Sequence, residues 1–422
     1  MKALIKSGYS VQGYKVGPDY IDPAFHKSIT GVDSRNLDIY LMGEDGVKAS
    51  FGRGSGDLGI VEGVMGLYDG KGIDSRYSTA HVAEILNLPV VLIISPKPQS
   101  TTLCAEINGI VDFENVDVCG VIFNNISEGY YRLLKAAVEK NCNLKVFGYI
   151  PKDERLSLES RHLGLIQSRE VEDLNEKIEL CSELVLKNID MNMLLKFFKE
   201  SPDFEDEYHL EDRGIKTAVA CDKAFSFYYR ENIELLEECG EVVFFSPLKD
   251  KCLPEDINFL YIGGGYPEVF IKELSRNKSM LNSINKGLNC YAECGGLMYL
   301  MEGIQGMDSG RIFNTVGFFN GKAYMTSKLQ NFGYAQIEVT EKNNILPLGL
   351  KINCHEFHKS HIESDEKKIY TVTKDTYNGM VKRWNCGYIN KNTLGAYAHV
   401  HFFGNLNMIK EITGKIRREE VY

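Results

Sequence analysis

Asn289-Cys290-Tyr291-Ala292-Glu293-Cys294-Gly295-Gly296-Leu297-Met298 is the most informative segment of the chain. In it a short apolar run leads to Cys294, and two glycines and a helix-forming pattern follow. This order predicts a strand, a tight turn and a helix, with the cysteine projecting from the turn as a nucleophile elbow does. At a helix N-terminus the thiol is expected to have a lowered pKa and to be an exposed thiolate.

Two other segments supply partners for this cysteine, although a cysteine taken alone is more often a small buried hydrophobic residue. The run at 259–268 is a strand that leads into a glycine loop, whose Gly264 and Gly265 can direct backbone N–H groups at a developing oxyanion. The run at 396–402 contains His399, a base able to take the thiol proton and give it to a leaving amine. Together the three segments predict acyl transfer from an amide.

Composition argues against several classes of protein. With 422 residues the chain is expected to form two domains, and its 44% hydrophobic and 25% charged residues are typical of a soluble globular protein. A net charge of −10 without a basic stripe argues against nucleic-acid binding. We find neither a membrane-length apolar run nor a signal peptide, and the 11 cysteines include no CxxC pair. We therefore expect a cytoplasmic protein with reduced thiols and no membrane partner.

The order of apolar and amphipathic runs predicts two α/β domains joined by a helical linker. Residues 1–165 alternate strands and helices as in a parallel sheet, residues 166–213 have helical spacing, and a second α/β pattern occupies 214–422. After Gly306 the alternation becomes typical of antiparallel strands. The predicted strands are 10–14, 58–62, 90–94, 118–123 and 145–150 in the first domain, and 217–221, 241–246, 259–262 and 289–292 in the second.

Charged residues follow strands of the first domain, where ligands of parallel sheets gather. Lys15 stands near a strand end, Asp19 and Asp22 follow it, and Glu62 ends another strand. Carboxylate oxygens suit Mg²⁺, and an ammonium group neutralises charge on a transferring phosphoryl group. Each residue taken singly is more often a solvated surface charge, so only the set indicates phosphate chemistry.

Nine motifs, in this order, make the chain resemble a known family. They are KVGPDYIDPAFH (15–26), SRNLD (34–38), VEGVMGLYDG (61–70), SRHLGL (160–165), AFSFYY (224–229), FFSPL (244–248), GGGYPE (263–268), YAECGGLMYL (291–300) and HEFH (355–358). Over its whole length the chain resembles the cobyrinate a,c-diamide synthase family. The resemblance implies a P-loop NTPase-like parallel sheet domain of the dethiobiotin synthetase type, followed by a class I glutamine amidotransferase-like α/β domain.

The resemblance also implies an activity and a set of site residues. It implies that ATP, Mg²⁺ and L-glutamine are used to amidate the a and c carboxylates of cobyrinate, with a thioester on Cys294, His399 as base, and ammonia attacking an acyl phosphate. The remaining positions carried over by resemblance are Asp19, Tyr20, Ile21 and Asp69 for the tetrapyrrole carboxylates, Lys15 and Asn124 for ATP, and Glu62 and Asp22 for Mg²⁺.

One departure from the family concerns the ATP site. The family's P-loop precedes the helix that leads to KVGPDY; residues 1–7 already have the pattern of that helix, and the sequence contains no GxxxxGK[ST]. A central strand of the sheet is expected to be absent as well. Either the functional chain extends upstream of Met1, or this is a degenerate copy that binds a tetrapyrrole without ATPase activity. In both cases this chain is expected to bind ATP weakly and to expose apolar surface.

The sequence allows more than one macrocycle, oligomeric state and third catalytic residue. The macrocycle can also be hydrogenobyrinate or nickel sirohydrochlorin, because the metal arrives inside the ring, and the chain can form a homo-oligomer. His399 and His401 lie two apart on a predicted strand, so only one faces Cys294. Glu356, in the stretch HEFH, could orient that histidine but is at least as well explained by packing. That stretch is also one residue short of the HExxH zinc motif.

Overall fold

The computed structural model describes residues 1–157, 160–161, 164–165, 171, 173–287, 289–307 and 310–416. The chain divides into two compact units, Met1–Leu37 with Ser50–Glu205, and Asp38–Ala49 with Asp206–Tyr422. Residues 162–163 of the SRHLGL motif and 166–170 of the expected helical stretch lie outside the described residues. Among the residues described, no helix is both long and apolar enough to cross a bilayer.

Residues 1–165 alternate helices and strands, as the sequence predicts, and two helices follow between residues 174 and 195. The helices are α1 (Lys2–Lys6), α2 (Ile21–Thr30), α3 (Ile39–Gly52), α4 (Thr79–Ile85), α5 (Thr101–Phe113), α6 (Glu128–Asn141), α7 (Leu174–Asn188) and α8 (Met191–Leu195). The strands are β1 (Val11–Val16), β2 (Arg35–Leu37), β3 (Leu58–Glu62), β4 (Val90–Ile94), β5 (Val118–Ile126), β6 (Lys145–Pro151), β7 (Ser160–Arg161) and β8 (Gly164–Leu165). The five strands predicted in this part of the chain are therefore confirmed.

The long strands of the first unit form two parallel sheets, in the orders β2-β1-β3 and β4-β5-β6. Within the described residues no ladder joins the two sheets, where the sequence analysis expects one parallel sheet short of a strand. Parallel strands are usually covered on both faces, yet Ile93 on β4 is 70% exposed. Apolar surface of this strand therefore faces solvent, as the sequence analysis expects.

Helices α5 and α6 cover the second of these sheets. Leu103 and Ile107 on α5, and Leu134 and Val138 on α6, are buried in one cluster with Val121 of β5. Each helical pair is four residues apart, which places both side chains on one face of its helix. This periodicity explains why the amphipathic stretches between the strands fold as covering helices.

The register of the first sheet brings charged residues together. Lys15 on β1 lies directly opposite Glu62 on β3. Beyond β1, the Asp19 side chain accepts hydrogen bonds from the N–H groups of Ile21 and Asp22, at 2.7 and 3.2 Å, and so caps the start of α2. Strand pairing and helix capping thus place Asp19, Asp22 and Glu62 around one lysine.

The second unit is larger and mixed. Its helices after residue 205 are α9 (Arg230–Glu238), α10 (Ile271–Arg276), α11 (Lys278–Ile284), α12 (Gly295–Leu300) and α13 (Leu406–Gly414). Its strands are β9 (Thr217–Ala220), β10 (Val242–Phe245), β11 (Phe259–Ile262), β12 (Cys290–Glu293), β13 (Met301–Gln305), β14 (Ile312–Asn314), β15 (Phe319–Val339), β16 (Lys351–Glu363), β17 (Lys368–Asp375), β18 (Val381–Asn390), β19 (Thr393–Ala396) and β20 (His399–Val400).

These strands form a single twelve-stranded sheet with the order β10-β9-β11-β12-β19-β18-β17-β15-β13-β14, in which β16 pairs with β15 and β20. Strands β9 to β12 and β19 run parallel, whereas β15 to β18 pair antiparallel, which confirms the predicted change of pattern after Gly306. Because β12 lies between β11 and β19, the residues that follow these three strands emerge at the same edge of the sheet.

Residues 38–49 pack in the second unit although they come early in the sequence. The buried Asp38 carboxylate accepts a 2.8 Å hydrogen bond from the Tyr334 hydroxyl. Asn353 on β16 donates from its side-chain amide to Tyr40 O at 3.0 Å. These hydrogen bonds tie residues 38–49 to strands β15 and β16.

The connection from β12 to α12 is a tight turn at Cys294, which has φ 48° and ψ −102°. A Cβ atom on Gly296, in the first turn of α12, would lie 2.1 Å from the backbone oxygen of Ile262. No shift of a flexible side chain can relieve that contact, because the obstacle is backbone. The helix can therefore approach β11 this closely only with glycine at position 296.

We predict that Gly296→Ala lowers the free energy of unfolding by about 1–3 kcal/mol, the range for overpacking a buried site. Gly109→Ala is the control, because Gly109 is exposed on α5 and a Cβ there meets no atom within 4 Å. Alanine is the better helix former, so this change should add about 0.5–1 kcal/mol. Urea unfolding measures both, and equal stability of the Gly296→Ala chain and the unmodified chain would contradict the packing argument.

Candidate active site

Cys294 is buried at the turn, with 6% exposure, and its N–H donates to Ala396 O at 2.7 Å. Burial raises the pKa of the thiol, and the charge of Glu268 is the next largest cause. The expectation of an exposed thiolate with a lowered pKa is therefore wrong. The partial charge at the end of the six-residue α12 does not offset the loss of hydration.

The glycine loop after β11 packs directly on this turn. Gly296 N–H donates to Gly263 O at 3.1 Å, and Gly264 forms an isolated antiparallel bridge with Phe227. A Cβ on Gly265 would lie 2.1 Å from Ala224 O, and one on Gly264 would lie 2.5 Å from Cε1 of His399. Any side chain at 264 or 265 would therefore displace its neighbours, so glycine lets the loop run against the histidine ring.

His399, at the start of β20, is 2% exposed. Its Nδ1 lies 3.5 Å from Oε2 of Glu293. Burial lowers its pKa to about 3, the charge of His358 acts in the same direction, and Glu356 opposes them. The imidazole is therefore neutral over the physiological pH range, which is the form that can accept a thiol proton.

Glu293 is the functional candidate that the sequence reasoning missed. This carboxylate is 1% exposed and accepts from the Tyr291 hydroxyl at 2.9 Å, the Tyr261 hydroxyl at 3.3 Å and the Val400 N–H at 3.2 Å. Burial raises its pKa to about 7. A carboxylate inside an otherwise apolar strand, directly before the candidate nucleophile, was the signal available in the sequence.

Glu356, the residue that the sequence offers as a third catalytic member, has other partners. Its oxygens lie 3.1 Å from Nε1 of Trp384, which donates, and 3.1 Å from Nε2 of His358. His358 also donates from Nδ1 to Ser360 O at 2.8 Å and stacks on Tyr397 with 3.8 Å between ring centroids. Glu356 thus belongs to a buried hydrogen-bond network beside the site, as its packing interpretation holds.

The second histidine of the predicted pair points elsewhere. His401 is fully buried, its Nε2 lies 3.3 Å from Oε2 of Glu231, and its Nδ1 accepts from Phe403 N–H at 3.3 Å. His355 and His358 lie on strand β16 and not on a helix. Within the parts of the chain that the structure describes, no group of three or more His, Cys, Asp or Glu side chains is arranged to hold a metal ion.

In the first unit, Lys15 is the centre of a charged cluster. It is 4% exposed, and its Nζ lies 2.6 Å from Asp22 Oδ2, 3.4 Å from Glu62 Oε1 and 3.0 Å from Gly63 O. Burial opposes the charge of Lys15, but Asp22, Glu62 and Asp19 together raise its pKa. Four of the residues selected from the sequence are therefore held together, namely Lys15, Asp19, Asp22 and Glu62.

Glu62 has a second partner in His26, whose Nε2 lies 2.6 Å from Glu62 Oε2. The other ring nitrogen of His26 lies 2.9 Å from Ser34 Oγ, which in turn donates to Gly13 O at 3.0 Å. Burial works against ionised Glu62, yet His26 and Lys15 hold the pKa of this carboxyl below its ordinary value. Glu62 is therefore a carboxylate at neutral pH.

Two of the remaining sequence candidates, Asp69 and Asn124, lie apart from this cluster in their described contacts. Asp69 accepts from Gly66 N–H at 2.8 Å in the loop after β3, and Asn124, at the end of β5, donates to Ser95 Oγ at 3.4 Å. Ile21 begins α2 directly after Tyr20. No hydrogen bond or ion pair found among the described residues joins Asp69 or Asn124 to Lys15.

Comparison with known proteins agrees with this two-part organisation. Residues 216–406 match the family model of the CobB/CobQ-like glutamine amidotransferase domain. Residues 55–160 match the model of an AAA domain. The first of these matches contains the cysteine turn, the glycine loop and His399, and the second contains Glu62, Asp69 and Asn124.

Relatives match almost the whole chain. A cobyrinate a,c-diamide synthase of Clostridium tetani is 68% identical over 419 residues, covering 98% of this chain and 95% of the relative. Those of Clostridium acetobutylicum and Caldanaerobacter subterraneus subsp. tengcongensis are 61% and 42% identical, covering 98% and 95% of this chain and 94% and 90% of their own length. The chain therefore belongs to the cobyrinate a,c-diamide synthase family.

Proposed function

We propose that the protein uses ATP and L-glutamine to amidate the a and c carboxylates of cobyrinate in cobalamin biosynthesis. The observation that carries the proposal is the buried Cys294 turn, with the His399 imidazole backed by Glu293, in a chain 68% identical to a cobyrinate a,c-diamide synthase. The test is formation of the diamide from cobyrinate, ATP and glutamine, with glutamate release measured in parallel.

Glutamine hydrolysis follows from the chemistry of the second unit. His399 takes the Cys294 thiol proton, and the sulfur attacks the glutamine carboxamide carbon to give a tetrahedral oxyanion near Gly264 and Gly265. As the C–N bond breaks, the imidazolium returns its proton to the leaving nitrogen, and ammonia departs. Water, deprotonated by His399, then hydrolyses the thioester to glutamate and regenerates the thiol.

Glu293 makes the proton transfer from Cys294 to His399 favourable. A thiol with a raised pKa transfers its proton to a histidine with a lowered pKa only if the imidazolium is stabilised. The Glu293 carboxylate faces the Nδ1 side of His399 and supplies that stabilisation, which also leaves Nε2 as the base. Three hydrogen-bond donors hold the carboxylate in place for this role.

For the first unit, we propose that ATP phosphorylates a substrate carboxylate and that ammonia displaces the phosphate from the acyl phosphate. Lys15 faces the phosphates, and Asp22 and Glu62 fit a Mg²⁺ ion that takes one or two carboxylates and completes its shell with water and phosphate. When bound, the ion would neutralise charge on the phosphoryl group. Glu62 is accessible for this purpose, since its side chain is 46% exposed.

The substrate contacts are proposed from family positions. Asp19, Tyr20, Ile21 and Asp69 would line the site of the tetrapyrrole carboxylates, and Asn124 would lie near adenine. Hydrogenobyrinate and nickel sirohydrochlorin are the competing macrocycles, because a site that binds peripheral carboxylates does not distinguish one central metal from another. An assay with all three macrocycles as competing substrates identifies the preferred one.

Replacing the nucleophile should separate the two activities. We predict that Cys294→Ala lowers glutamine-dependent diamide formation by on the order of 10³-fold or more while amidation from added ammonium chloride persists. Cys252→Ala, which changes an exposed cysteine, is the control and should leave both activities intact. Loss of both activities in a folded Cys294→Ala chain would contradict the two-step scheme.

A change in the charged cluster around Lys15 should impair amidation and spare glutamine hydrolysis. We predict that Glu62→Gln lowers ATP-dependent amidation by on the order of 10²-fold but leaves glutamate release measurable, because the carboxylate charge acts on the phosphoryl group. Glu84→Gln, on the exposed surface of α4, is the matched control. If Glu62→Gln amidates cobyrinate at the unmodified rate, the role proposed for Glu62 fails.

The pH dependence of glutamine hydrolysis tests Glu293. Ionised Glu293 is needed to stabilise the imidazolium, so hydrolysis should fall as the pH drops below about 7, the pKa to which burial raises this carboxyl. Glu293→Gln should lower kcat by on the order of 10²-fold and lose that acidic limb. Tyr291→Phe removes one hydrogen-bond donor to Glu293 but keeps the carboxylate, so the pH profile of this variant should still fall on the acidic side. A limb that persists in Glu293→Gln belongs to another group.

A further inference from the structure

Glu268 is a buried carboxylate that the hydrolysis described above does not use. It is 6% exposed, and within the described residues no cationic side chain pairs with it. Burial raises the pKa of Glu268 to about 7. Buried carboxylates are normally paired or bound to a metal, because an unpaired buried charge is costly. Apart from a hydrogen bond with its own backbone N–H, Glu268 has no charged partner among the described residues that would stabilise its charge.

Glu268 lies on a loop that packs next to the nucleophile. It ends the glycine loop, and the ring of the preceding Pro267 has its Cδ 2.9 Å from where a Cβ on Gly295 would lie. The Val269 N–H donates to Tyr266 O at 3.1 Å, so the chain turns around Pro267 and Glu268. The loop that carries Glu268 is therefore packed against the residue that follows Cys294.

The electrostatics of the thiol support the same placement. After burial, the Glu268 carboxylate is the largest contributor to the raised pKa of Cys294, ahead of Glu356 and Glu293. Glu356 already faces Trp384 and His358, and Glu293 already faces His399. Of these three carboxylates, Glu268 is the one whose charge is left for a group that the substrate brings.

We propose that Glu268 binds the α-ammonium group of the amide donor and restricts the site to amides of free α-amino acids. This inference rests on the proposed glutamine hydrolysis at Cys294. L-Glutamine carries its only cation on the α-amino group, at the end of the molecule opposite the end that reacts. An ammonium group beside Glu268 forms a charge-assisted hydrogen bond and removes the cost of an unpaired buried carboxylate.

The test uses two amides that differ only in this group. Glutaramate has the carboxamide and the carboxylate of glutamine but no α-amino group. The unmodified chain, Glu268→Gln and Glu273→Gln are assayed for hydrolysis of both, where Glu273 is an exposed carboxylate on α10 and serves as the matched control. We expect Glu268→Gln to raise the KM for glutamine about 10- to 100-fold, with a smaller change in kcat and no change for glutaramate. The control should match the unmodified chain.

An unchanged preference for glutamine over glutaramate in Glu268→Gln would overturn the proposal. Glu268 could instead bind the ammonium ion that hydrolysis releases. Glutamine and glutaramate release the same ammonia, so a role in binding this product would affect the hydrolysis of both amides. Equal effects of Glu268→Gln on both amides would therefore assign the residue to the product and also overturn the proposal.

Alkylation of Cys294 by iodoacetamide, followed by mass spectrometry of its peptide, tests the inference without any variant. Glutamine is expected to protect Cys294 in the unmodified chain, and glutaramate at the same concentration is not. Equal protection by both would overturn the role of the ammonium group even if Glu268→Gln does not fold. Failure of the unmodified chain to hydrolyse glutamine would instead count against the proposed function.

Discussion

The turn at Cys294 is the constraint on which the second unit depends. A non-glycine residue at φ 48° and ψ −102° is strained by about 1–3 kcal/mol and persists only where its surroundings hold it. The N–H of Cys294 is bound to Ala396 O at the end of β19, and α12 packs on β11 through Gly296. The same two strands lead into the glycine loop and toward His399, so the pairing that holds the turn also places the loop against the turn and against the His399 ring.

Burial sets the charge state of this site. It keeps the Cys294 thiol protonated and the His399 imidazole neutral, so the resting pair carries no charge. Proton transfer then requires a substrate to be attacked and a carboxylate to stabilise the imidazolium, which is the role proposed for Glu293. In the first unit the balance is reversed, because Lys15 keeps its charge through neighbouring carboxylates and stays positive for an anionic ligand.

Much of the fold could be predicted from local pattern, whereas the ionisation of the site could not. Apolar runs and glycines were enough to locate β1, the strands β3 to β6 and β9 to β12, the turn at Cys294 and the loop after β11. The raised pKa of the thiol depends on burial by the whole unit, which no local sequence shows. Glu293 was missed because its contact with His399 requires the parallel pairing of β12 with β19 and the antiparallel pairing of β20 with β16, which depend on tertiary structure.

The central claim is that Cys294 forms a covalent thioester with glutamine. Acid quenching of the protein during turnover with L-glutamine, followed by mass spectrometry of its peptides, tests it most directly. The account predicts a glutamyl adduct on the peptide that contains Cys294 and none on the peptides of the exposed Cys181 and Cys252. Glutamate release in a chain whose adduct maps to another cysteine would contradict the account.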